Sequence, residues 1–139
     1  SCAHVTSAHL ASHRILVVEK VHPRAWGTFP RFIAKYSREL KLMPLRDMVA
    51  HLTSRPAKVL NIYPERGSVS VGAAADLVLF NLETIRDLAT YEQPKTRSEG
   101  IEMVLVNGVV ALDGKNLTGA RAGVTLRRRE DGSVTSRGL

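Results

Sequence analysis

A single cysteine, Cys2, stands in the 139 residues, which excludes an internal disulfide and a cysteine-rich metal site. Aromatic residues make up only 5% of the chain, too few for the stacking platforms on which single-stranded nucleic acids are held. No apolar run approaches the ~20 residues of a membrane-spanning helix. The longest, Ile15–Val18 and Leu77–Phe80 among them, have the length of buried strands. The first residues show no basic region, long apolar stretch and small-residue cleavage site in succession. No secretory signal is therefore read, and the cytoplasm is the expected compartment. The glycosylation triplet Asn116-Leu117-Thr118 is accordingly taken as a chance match. Internal repeats and low-complexity tracts are also lacking.

What remains is an ordinary soluble composition, 44% apolar and 24% charged. A chain of this length buries roughly 68% of its unfolded surface, enough for one core. The net charge of +7 is uneven. Residues 1–60 carry ten Lys and Arg against Glu19, Glu39 and Asp47, whereas residues 61–139 carry ten of each sign. A basic half fits nucleic acid, or an acidic face on a larger protein. The one dense block, Arg127-Arg128-Arg129, is followed at once by Glu130 and Asp131 and reads as a solvated tail.

Periodicity places helices first. His9 and His13 stand at i, i+4 without a third metal ligand nearby, and Ile15–Val18 reads as a short strand or one turn of buried helix. The segment "HPRAWGTFPR" crowds two prolines, a glycine and two aromatics into an irregular stretch before a helix. That helix is marked by Phe29, Phe32, Ile33, Tyr36 and Leu40, with Thr28 as its cap and Pro30 in its first turn. A second follows Pro44, with Leu45, Met48, Val49 and Leu52 on one face. A third begins at Thr53–Pro56 and runs through Ala57, Val59, Leu60 and Ile62, and Pro64 and Gly67 close the helical half.

Strands come next. Val69 and Val71 alternate with polar neighbours, and Leu77–Phe80 is apolar throughout, so it predicts a strand covered on both faces. Residues 83–99 are polar, with a short helical stretch at Thr84–Ala89. Asn107-Gly108 between the apolar runs Met103–Val106 and Val109–Leu112 is a type I′ hairpin signal, since both turn residues need positive φ. Asp113-Gly114 supplies another turn and Val124–Leu126 a last strand. The fold class is α+β, helices followed by a small antiparallel sheet.

Several segments, "HPRAWGTFPRFIAKY", "LTSRPAKVLNI", "GSVSVGAAADLVLFN" and "TIRDLATYEQPKTRSEGIEMVLVNGVVALDGKNLTGARAG", resemble in order and spacing the C-terminal end of the D-aminoacylases. These are the N-acyl-D-amino-acid deacylases of the metal-dependent amidohydrolase superfamily. The resemblance runs from about His22 to about Arg127. It implies the last helices of a (β/α)8 barrel followed by the C-terminal strands of a small β-sandwich. Residues 22–66 would be barrel-derived loop and helices, and 67–127 the sandwich portion. Residues 1–21 are left unassigned, and 128–139 form a basic, flexible tail.

The resemblance also implies a site. The His-Pro-Arg segment follows the eighth barrel strand, near the mouth where barrel active sites lie. There Arg24 binds a substrate carboxylate through two parallel hydrogen bonds, or pairs with a structural acid. His22 orients neighbouring groups and Trp26 lines the pocket, or both simply shape a tight loop, which is the reading favoured for these two. The family's Ser-Asp-Gly motif, whose aspartate binds the metal and serves as general base, has no counterpart in "SHRILVVEKV". No aspartate precedes Asp47. Cys2 does not match the family's cysteine ligand.

Zinc is thus expected in the complete family enzyme and not in this chain alone, with no catalytic residue and no metal ligand assigned here. The substrate implied is an N-acyl-D-amino acid, hydrolysed at its linear amide C–N bond. The alternatives from other classes are a small basic nucleic-acid-binding protein and a structural module docking on a barrel-bearing chain. Neither a specific nucleic acid nor a membrane is expected as a partner. The uncovered apolar stripe and strand predict self-association.

Overall fold

The computed structural model describes residues 22–138, so the readings of Cys2, His9, His13 and Ile15–Val18 lie outside the described residues. The chain falls into two compact units that interleave along the sequence. The first comprises the described residues up to Met48 together with Leu82–Gly100, and the second Val49–Asn81 with Ile101 onward.

In the first unit the crowded segment is itself a helix. Helix α1 spans Arg24–Arg31 and continues directly into a π-helical segment, Phe32–Glu39. The cap expected at Thr28 is therefore five residues late, the helix being capped at Pro23. Pro23 precedes α1 with a helical φ of −52° and needs no amide partner. The Thr28 hydroxyl donates back to the Arg24 carbonyl instead of capping. Pro30 lies inside the helical stretch, where it removes one i→i−4 bond. The wider winding begins two residues later, and the Leu40 N–H donates to the Lys35 carbonyl at 2.9 Å.

The buried face is Gly27, Pro30, Ile33, Ala34 and Ser37. It is displaced by one position from the expected stripe of larger residues. Phe29, Phe32 and Tyr36 are half-buried and Leu40 is exposed. The small residues on the buried face permit close approach of another segment, which the larger ones would prevent.

Helix α2, Leu45–Leu52, buries Met48 and carries Asp47 in its first turn and His51 in its last, matching its dipole. Helix α3, Ser54–Val59, buries Ala57. It stops short of the expected Ile62, because Asn61 takes a positive φ of 54°.

The second unit holds the sheet. Strands β1 (Leu77–Phe80), β2 (Ile101–Val106), β3 (Val109–Asp113) and β4 (Asn116–Leu117) pair antiparallel in chain order. Val106 faces Val109 across Asn107 and Gly108, whose φ values of 49° and 80° make the predicted turn. Gly114, at φ 55°, turns the chain into β4.

Asn107 does more than turn. Its amide donates to Asp76 Oδ1 at 2.8 Å, its side-chain oxygen accepts from Arg66 at 2.9 Å, and its side-chain nitrogen donates to the Ala122 carbonyl. Arg66 also pairs with Asp76.

Three expectations are corrected here. Val69 and Val71 form no strand. They lie between two positive-φ glycines, Gly67 and Gly72, and both are fully exposed. Thr84–Ala89 is not helical, and Arg86 instead bridges Glu99 in extended backbone. The C-terminal residues read as a flexible tail form a hairpin, β5 (Val124–Arg128) with β6 (Val134–Gly138). Asp131, through its hydrogen bonds from the Ser133 amide and hydroxyl, supports the turn between them.

Strand β1 sits at the sheet edge, and Val78 and Leu79 are more than half exposed, at 56% and 54%. The two-faced cover expected for this strand is not supplied among the described residues.

Two outcomes follow from the sheet. A Cβ added at Gly108 meets nothing nearer than the Ala75 methyl at 3.8 Å, so the cost expected of Gly108→Val is that of its φ of 80°. Thermal unfolding should register a loss of about 1–3 kcal/mol, and a mutant as stable as the parent refutes the turn assignment. The apolar edge should also drive reversible self-association at tens of micromolar protein. Val78→Lys should lower the mass measured by light scattering toward that of a monomer. An unchanged mass would show that β1 is not the contact.

Candidate functional site

The head of α1 gathers the sequence-derived candidates. The four amides of the first turn are all occupied internally. Arg24 N–H donates to His22 Nδ1 at 3.1 Å, Ala25 N–H to the His22 carbonyl, and the Trp26 and Gly27 amides to the Pro23 carbonyl. The helix start therefore offers no free backbone donor to an anion. Any anion bound here is bound by the Arg24 side chain.

Arg24 is exposed, and among the described residues its guanidinium makes no ion pair. Its expected structural acid is thus not found among them. Trp26 is also exposed, but residues two apart on a helix do not share a face, so α1 does not bring Arg24 and Trp26 together. His22 acts as a side-chain cap, and its ring meets a residue that sequence reasoning passed over, Tyr91. The two rings stand edge to face with centroids 5.1 Å apart.

Tyr91 arrives on an excursion, residues 82–100, fastened to the helices at three places. Arg38 Nη1 lies 2.8–2.9 Å from the carbonyls of Leu82, Glu83 and Ile85. Ile85 is buried, at 2% exposure. Asp87 fits into the notch left by Gly27, where an ideal Cβ would land on its carboxyl group. Its side chain is only 9% exposed, with Arg31 at 3.6 Å and the Ala89 amide at 2.9 Å.

The excursion is pinched at its base by Arg86 and Glu99, paired through backbone and side chains. Gly100 follows with φ 78°, and an added Cβ would meet the Ile85 backbone. At the tip, the Gln93 amide donates to Thr90 Oγ1 at 3.0 Å. The Glu92 carboxyl is held below the usual carboxylate range by its own backbone amide and then by the Thr90 hydroxyl. The sequence signal that could have pointed to it is Gly27, which becomes a helix-interior glycine only once the helix start is moved back to Arg24.

A separate cavity of about 390 Å³ lies in the second unit, walled by Ile62, Arg66, Asn107, Val124, Leu126 and Val134. It contains none of the predicted site residues, and Arg66 is committed to Asp76 and Asn107.

Comparison with known proteins fixes the class. Residues 18–112 match the model of the amidohydrolase family, and the chain belongs to that family. It is 42% identical over 110 residues to the D-aminoacylase of Alcaligenes xylosoxydans xylosoxydans, covering 79% of this chain and 22% of that protein. Identity to the N-acyl-D-glutamate deacylase of the same organism is 47% over 87 residues, 63% of this chain and 18% of that one.

Among solved structures, a D-aminoacylase studied for its binuclear metal centre superposes with a TM-score of 0.73 at 45% identity, over 76% of this chain and 22% of that one. The N-acyl-D-glutamate deacylase from Bordetella bronchiseptica, bound to zinc and a phosphonate inhibitor, gives 0.65 at 43% identity, over 68% and 21%. The sequence thus corresponds to a portion of a D-aminoacylase and spans about a fifth of the length of these relatives.

Metals are present in those relatives, but the residues described here do not fit a metal centre. Among them no three His, Cys, Asp or Glu side chains come together. Also among the described residues, no helix is long and apolar enough to cross a membrane.

The Gly27 notch is open to test. Gly27→Ala should displace Asp87 and lower stability by about 1–3 kcal/mol, the usual cost of overpacking. A paired Gly27→Ala, Asp87→Ala variant should recover most of that loss in urea unfolding. Full stability in the single mutant would show that the carboxylate does not occupy the notch.

Proposed function

We propose that this chain is the C-terminal part of a zinc-dependent deacylase that hydrolyses the amide of N-acyl-D-amino acids. In this reading residues 22–66 derive from the last part of a (β/α)8 barrel and residues 67–127 from the adjoining β-sandwich. The observation that bears on its substrate end is the exposed Arg24 guanidinium, without an acid partner among the described residues, at the head of a helix whose amides are already occupied. A substrate α-carboxylate would be held there by two parallel N–H···O bonds, which fix its direction as well as its charge. His22 would hold the turn in shape, while Trp26, on another face of α1, has no part in holding the carboxylate. The described residues include no metal-binding cluster, so the chemical step belongs to residues beyond them. The family match carries the assignment, in preference to the basic charge that first admitted nucleic acid.

The test transplants residues 18–112 into the matching region of the Alcaligenes D-aminoacylase. The chimera should hydrolyse N-acetyl-D-amino acids. Arg24→Lys should raise KM about tenfold or more with a smaller change in kcat, since a bidentate pair becomes a point charge. The 139-residue chain by itself, given zinc, should show no turnover. A folded, zinc-loaded chimera without activity, or one indifferent to Arg24→Lys, overturns the reading.

A further inference from the structure

His22 has two ring nitrogens, and the structure assigns each a different task. Nδ1 lies 3.1 Å from the Arg24 amide nitrogen, which donates a hydrogen, so Nδ1 must be the bare acceptor. In the neutral ring the proton then resides on Nε2. Nε2 lies 3.0 Å from Tyr91 Oη, so it donates to the phenol oxygen, and the Tyr91 hydroxyl hydrogen remains available to another acceptor. The result is one directed chain of donors from the Arg24 amide through His22 to Tyr91 Oη. Tyr91 is 76% exposed, so burial does not hold it there. It is held by the turn of residues 90–93 and by the Arg38, Asp87 and Arg86–Glu99 attachments of the excursion that bears it.

We propose that Tyr91 is a positioning residue for the carboxylate-binding end of the site. It accepts the Nε2 proton of the tautomer that the Arg24 amide selects and so fixes the ring, which in turn fixes the first turn of α1 from which Arg24 projects. The proposal rests on the reading of Arg24 as the carboxylate-binding group. Its ligand class is a small carboxylate, and Tyr91 acts on that ligand only through His22 and Arg24.

The test uses the full 139-residue chain in the Val78→Lys background, with histidine and arginine labelled in ¹⁵N and N-acetyl-D-glutamate as the probe. Tyr91→Phe keeps the ring contact and removes only the oxygen. It should move the His22 Nε2 resonance and speed exchange of its proton. It should also weaken probe binding, read at the Arg24 side chain, about threefold to tenfold, the worth of one ordinary hydrogen bond. The melting temperature should not change.

His22→Asn supplies a second route. Its side-chain oxygen can still accept from the Arg24 amide while losing Tyr91, so it should reproduce the affinity loss of Tyr91→Phe. Unchanged His22 resonances in Tyr91→Phe, or unchanged affinity in both variants, overturns the proposal. Arg24→Lys separates the two readings. If it leaves binding intact, the carboxylate assignment falls and takes the positioning role with it. If it abolishes binding while Tyr91→Phe and His22→Asn do nothing, only the positioning role falls.

Discussion

The first unit depends on a carboxylate seated where a side chain is missing. Asp87 occupies the space above Gly27, with Arg31 and the Ala89 amide as its partners. A buried carboxylate is costly unless it is paired and hydrogen-bonded, and here both conditions are met at once. Because Gly27 sits in the first half of α1, the same contact aligns the helix whose head carries His22 and Arg24. Glycine in a helix interior costs roughly 1 kcal/mol against alanine. That cost is offset by the approach it allows.

The second unit solves a similar problem with an amide. Asn107 tolerates positive φ, as the hairpin requires, and its side chain then ties Arg66, Asp76 and the backbone at Ala122 to the turn. A turn glycine would satisfy the backbone as well but would leave the Arg66 guanidinium without that acceptor. The loop between α3 and β1 is thereby fastened to the sheet through polar groups, in a region where Val69 and Val71 contribute no packing.

Local rules were sufficient where a single element decided the outcome. Asn107-Gly108 declared its turn, Pro44 and the Leu45–Leu52 spacing declared α2, and the apolar run Leu77–Phe80 declared β1. They failed where a distant segment decided it. The stripe through Phe29 and Phe32 was the more hydrophobic face of the helix, yet the buried positions fall mostly one residue further on, and at one of them, Gly27, the missing side chain leaves room for Asp87. The flexible tail was read from charge, but strand pairing depends on backbone groups that composition does not reveal. In the site, Arg24 and His22 were visible in a recognisable segment. Tyr91 was not, since 69 residues separate it from the imidazole it touches.

The pairing of β1 with β2 brings Phe80 opposite Ile101, so residues 82–100 leave and re-enter the sheet at neighbouring positions. With Arg86 and Glu99 joined just beyond, the excursion is a closed loop with a narrow neck. The entropy of closing such a loop grows only with the logarithm of its length, by about 0.6 kcal/mol for each doubling. Its tip is therefore a place where residues can be gained or lost at small thermodynamic cost, while the neck is not. A fold built this way lets the segment that touches His22 diverge in length and chemistry while the β1–β2 pairing keeps its register.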